Sequence, residues 1–71
     1  MNNLGVLLAS AVYRGFTIKF EPYNIPNGCV RIMVTYKGRN YVQLVHEDDF
    51  YKDLYSILSM MIDQMEYKVR I

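Results

Sequence analysis

At 71 residues, 52% hydrophobic and 21% charged, the chain reads as a single domain over residues 1–71 with enough apolar material for one core. That balance excludes a disordered chain, and one cysteine excludes a disulfide scaffold or a Cys-based zinc site. A formal net charge of +1 is too small for bulk electrostatic binding of nucleic acid.

The charges are nevertheless segregated. Arg14, Lys19, Arg31, Lys37 and Arg39 face only Glu21 in residues 1–46, a net of +4. Glu47, Asp48, Asp49, Asp53, Asp63 and Glu66 outnumber Lys52, Lys68 and Arg70 in residues 47–71, a net of −3. Such asymmetry gives a protein two electrostatic faces, able to steer a partner or to pair with each other.

The first element is a short helix. Leu4, Leu7, Leu8, Ala11 and Val12 fall on one helical stripe. Asn2 and Asn3 are suitable N-cap residues before it, and Gly15 is a suitable C-terminal cap after it. This apolar stretch is about half the ~20 residues needed to cross a bilayer. No basic residue precedes it and no cleavage pattern follows, so a cytoplasmic protein without a membrane partner is expected. The lone Cys29 fits a reducing compartment.

Phe16-Thr17-Ile18-Lys19-Phe20-Glu21 alternates strictly and predicts a strand that Pro22 ends. Pro22 to Gly28 holds both prolines and an Asn-Gly step, and reads as a loop. Cys29 to Tyr36 predicts a second strand and Tyr41 to His46 a third, joined by a tight turn at Lys37-Gly38-Arg39-Asn40. A Lys37-Gly38-Arg39 loop would pair Val34 with Val42 and Ile32 with Leu44, apolar against apolar. Phe50, Leu54, Ile57, Leu58, Met61 and Met65 then mark a long helix, its stripe widened by Tyr51, Tyr55 and Ile62. Glu47, Asp48 and Asp49 suit its positive N-terminal end. Tyr67 to Ile71 alternates like a strand and reads either as a short final strand or as a frayed end.

The expected fold is therefore α+β: a three-stranded antiparallel meander, a short N-terminal helix, and a long C-terminal helix on one sheet face. Phe16, Ile18, Phe20, Val30, Ile32, Val34, Val42 and Leu44 would meet the helix. Lys19, Arg31, Thr35 and Gln43 would lie on the open face.

Catalytic chemistry has little to work with. The chain has one histidine, one cysteine, and serines only at positions 10, 56 and 59. A nucleophile needs a base beside it and a third group to orient that base. Cys29 and His46 fall near each other in an antiparallel register, but a small buried residue and a strand-end histidine account for them. The run His46-Glu47-Asp48-Asp49 is explained by helix-end electrostatics without a metal. No enzymatic activity, cofactor or metal is expected.

Seven tyrosines are many for this length, and tyrosine is enriched where proteins meet partners. The order α-β-β-β-α resembles that of double-stranded RNA-binding domains. Those domains grip phosphate with lysines at the start of the second helix, where this chain has Glu47-Asp48-Asp49.

A further resemblance runs over residues 1–62. The short N-terminal helix, Phe16-Thr17-Ile18-Lys19-Phe20, and the hairpin from Val30-Arg31-Ile32-Met33-Val34 to Gly38-Arg39-Asn40-Tyr41-Val42 carry it. Together with the acidic run before the long helix, they resemble the type II-A anti-CRISPR inhibitors, small phage-encoded proteins. The resemblance implies a cytoplasmic, non-enzymatic protein that occupies the DNA-binding groove of a CRISPR nuclease with an acidic surface. The hairpin tip of that family is acidic, whereas here it holds Lys37 and Arg39.

The leading expectation is a phage accessory protein that inhibits a host protein, a defence factor such as a nuclease, by stoichiometric binding. Its contact residues would be Lys37, Arg39 and Tyr41 at the hairpin, and Asp48, Asp49 and Asp53 at the helix start. The alternative is a nucleic-acid-binding module using Lys19, Arg31, Lys37 and Arg39. A homodimer, formed through the open sheet face or the strand-like tail, is compatible with either.

Overall fold

The computed structural model describes residues 3–23 and 28–70. Helix α1 (Leu4–Tyr13) is followed by strands β1 (Thr17–Tyr23), β2 (Cys29–Tyr36) and β3 (Arg39–His46), then helix α2 (Glu47–Arg70). The strands form one antiparallel sheet in the order β1-β2-β3. This is the α+β meander expected from the sequence.

Asn3 occupies the N-cap of α1, but its side chain makes no capping hydrogen bond. Asn2 lies outside the described residues. At the other end the cap is complete. The Phe16 N–H donates to the Ala11 carbonyl at 2.9 Å, and the Gly15 N–H donates to the Val12 carbonyl at 3.0 Å. With Gly15 at φ 101°, this is a Schellman ending, and it drops Phe16 directly into the core.

Pro22 does not end β1, which continues through it to Tyr23. β1 is an edge strand, and a proline nitrogen that faces outward costs no ladder hydrogen bond. Of the expected loop, residues 24–27 lie outside the described residues. Tyr67 to Arg70, read as a short final strand or a frayed end, continues α2 instead. Ile71 lies outside the described residues.

The hairpin differs by one residue from the apolar matching. Tyr36 pairs with Arg39, leaving a two-residue loop of Lys37 and Gly38. Both have positive φ, 49° and 77°, as a type I′ turn requires. Val34 therefore pairs with Tyr41, Ile32 with Gln43, and Val30 with Val45. A one-residue slip moves every side chain of a strand to the other face. Val42 and Leu44, expected in the core, lie on the open face with about half their surface exposed. Gln43, expected on the open face, lies on the helix side.

The core sits between the sheet and the helices. Ile32 and Val34 come from the central strand, Val45 from β3, and Ala11 from α1. Leu58, Met61, Ile62 and Met65 come from α2, and Phe16 closes one end. Tyr51, expected to widen the apolar stripe, is 81% exposed. The backbone of α2 leaves helical geometry at Asp53 (φ −122°, ψ 18°), between Phe50 and Leu54. On the near side of that bend, Phe50 meets Phe20 edge-on at 5.3 Å. The Glu47 N–H donates to the Gly28 carbonyl at 2.7 Å and fixes the start of α2 beside β2.

Candidate binding surfaces

Strand β3 separates the charges more cleanly than the sequence halves do. The hairpin tip lies at its start and the acidic residues of α2 follow its end, roughly 24 Å away at ~3.4 Å per residue. At the tip end, Lys37 sits over the Tyr36 ring and Lys68 over the Tyr41 ring, each 5.5 Å from the centroid. Tyr36 stacks flat on Phe16 at 3.9 Å, and the Arg14 guanidinium lies over the Phe16 ring, 5.5 Å from its centroid. Arg14 is held by Glu66 at 2.8 Å. Among the described residues, Lys37, Arg39 and Lys68 have no carboxylate within ion-pair distance. Lys68, from the acidic half of the sequence, thus joins the basic end of the molecule.

Glu47, Asp48 and Asp49 are exposed at the opposite end. The expected contact residues Lys37, Arg39 and Tyr41 are brought together, and Asp48, Asp49 and Asp53 form a separate group. The fold does not merge them into one patch.

The four cations of the nucleic-acid reading are also divided. Lys19 and Arg31 share the open face, where Glu21 lies between them. Arg31 forms a close ion pair with Glu21, and Lys19 lies 3.8 Å from the same carboxylate. Arg39 pairs with Tyr36 and shares the helix-side face. Lys37 projects from the turn.

Cys29 and His46 are direct cross-strand partners at the end of the open face. The His46 Nδ1 accepts a hydrogen bond from the Asp48 backbone N–H at 3.2 Å and lies 3.5 Å from the Asp48 carboxylate. Among the described residues, no three His, Cys, Asp or Glu side chains converge on a cation site.

Two surfaces were not singled out by the sequence reading. The first is the outward side of α1. Gly5, Val6, Ala9, Val12 and Tyr13 form a second stripe opposite Leu4, Leu7, Leu8 and Ala11, and all five are exposed. Val6 is 69%, Val12 61% and Tyr13 92% exposed. No residue of α1 is charged. A helix apolar all round is ordinarily a buried helix, and that rule applied to residues 4–13 would have found this surface. The second is the outer edge of β3, legible only once the hairpin register is known.

No protein-family model, curated protein or solved structure matches the chain. No described helix is long and apolar enough to cross a membrane.

Proposed function

We propose that the chain is a non-enzymatic, phage-type accessory protein that inhibits a host protein, such as a defence nuclease, by stoichiometric binding. The observation that carries this reading is the uncharged, outward face of α1. Val6, Val12 and Tyr13 stand 69%, 61% and 92% exposed on one uncharged helix face, and contiguous exposed apolar patches are often functional. A partner protein gains by covering that surface. The nearly flat charge balance and the ion pairs that neutralise Lys19 and Arg31 give nucleic acid less to hold.

The test is capture from bacterial lysate, with and without nuclease treatment, by the wild-type chain and by Val6→Glu/Val12→Glu. Both positions are exposed, so circular dichroism of the variant should match the wild type. One protein retained near one-to-one by the wild type, and at least tenfold weaker binding by the variant, is expected; that is about 1.4 kcal/mol. Equal capture by the two chains would overturn the assignment to α1. Recovery of nucleic acid alone, lost on nuclease treatment, would overturn the inhibitor reading.

A further inference from the structure

The sheet has two edges, and they are built differently. β1 carries Lys19, Glu21 and Pro22, the residue types by which natural sheets discourage further pairing. β3 has none of these between Asn40 and Val45. Its ladder to β2 runs without a bulge from Arg39 to His46. An eight-residue edge of this kind is a template for another strand.

The two-residue turn decides which groups face outward. Tyr36 and Arg39 close the turn as a hydrogen-bonded pair, and bonded pairs alternate from there. Tyr41, Gln43 and Val45 therefore spend their N–H and C=O on β2. Asn40, Val42, Leu44 and His46 point theirs at solvent, and the same residues set their side chains on the open face.

We infer that β3 is a self-association surface: two copies pair β3 to β3, antiparallel about a two-fold axis at Gln43, in a continuous six-stranded sheet. Three features select a second copy as the occupant. The outward residues match themselves in this register, with Asn40 opposite the second copy's His46 and Val42 opposite its Leu44. Half-exposed Val42 and Leu44 thereby cover one another. Charge complements charge as well. Arg39 lies one residue before Asn40 and Glu47 one after His46, so antiparallel pairing brings the basic tip of each copy to the acidic helix start of the other. The free cations Lys37 and Arg39 meet Glu47, Asp48 and Asp49 at both ends. A parallel pairing would set like charges together instead. The interface is isologous, as a two-fold axis requires. It lies on the strand edge remote from β1, against which α1 packs, so the α1 face stays open in both copies.

Sedimentation equilibrium over a wide range of chain concentration tests this. The expected result is a mass rising from 8.4 kDa to twice that value, with weaker association as salt is raised. Val42→Lys/Leu44→Lys alters half-exposed positions and should weaken the dimer at least tenfold while leaving the circular dichroism unchanged. A second arm leaves Asn40 to His46 unchanged. Lys37→Glu/Arg39→Glu and Glu47→Lys/Asp48→Lys should each associate at least tenfold more weakly alone, and form a heterodimer when mixed. A mass of one chain at every concentration would overturn the proposal and leave the edge to a segment of another protein. A dimer that survives the lysine pair, or charge variants that fail to rescue one another, would overturn this geometry.

Discussion

β1 and β3 are the two edges of one sheet and opposite in chemistry. Three of the seven residues of β1 are charged or proline, and Pro22 lies where its missing N–H would otherwise face outward. β3 has outward amides along its length, with valine and leucine beside them. The difference marks β3 as the edge that is open to a further strand. A two-layer protein must leave one sheet face and two edges in water, and only β3 lacks the devices that keep an edge alone. α1 shows the same lack among the helices, being uncharged on the side that faces out.

The largest effect should come from the strand between the edges. Ile32 is fully buried, and Ile32→Ala should cost about 2–5 kcal/mol of stability by urea denaturation. Val42→Ala, on the open face, should cost less than about 1 kcal/mol. Equal losses would return Val42 to the core and reject the register. The turn that sets this register comes next. A Cβ at Gly38 would meet no atom within 4 Å, so Gly38→Ala is penalised only through its positive φ. About 1–2 kcal/mol is expected, and no loss would argue against a type I′ turn. The smallest change in stability, with a distinct change in assembly, should follow Pro22→Val. It restores an outward N–H to β1, and light scattering should then detect species larger than a dimer. A mass held at two chains would show that Pro22 is not what closes that edge.

Much of the fold was legible in the sequence because its signals were local. The alternation of residues 16–21, the stripe from Phe50 to Met65 and the glycine after α1 each depend on neighbours in the chain. Register was not legible in the same way. Matching Val42 to Val34 and Leu44 to Ile32 maximised apolar pairing. The choice was made instead by the turn, where Lys37 takes a left-handed conformation beside Gly38. Five of the eight residues expected on the core face, Phe16, Ile18, Val30, Ile32 and Val34, are buried or half-buried there, and Phe20 is more open at the edge. The candidate contact residues were visible as charges, but not as two groups at opposite ends of β3. That separation needed the strand to be placed between them. The excess of tyrosine was also visible. Its distribution was not: Tyr36 and Tyr41 support cations, whereas Tyr13, Tyr51 and Tyr67 stand mostly exposed.

Backbone hydrogen exchange reads the unguarded edge of β3 amide by amide. In dilute protein, Tyr41, Gln43 and Val45 should be protected, while Asn40, Val42, Leu44 and His46 exchange freely. At high concentration the second set should become protected and the first should change little. Protection of Val42 and Leu44 in dilute protein, or free exchange at every concentration, would contradict the account.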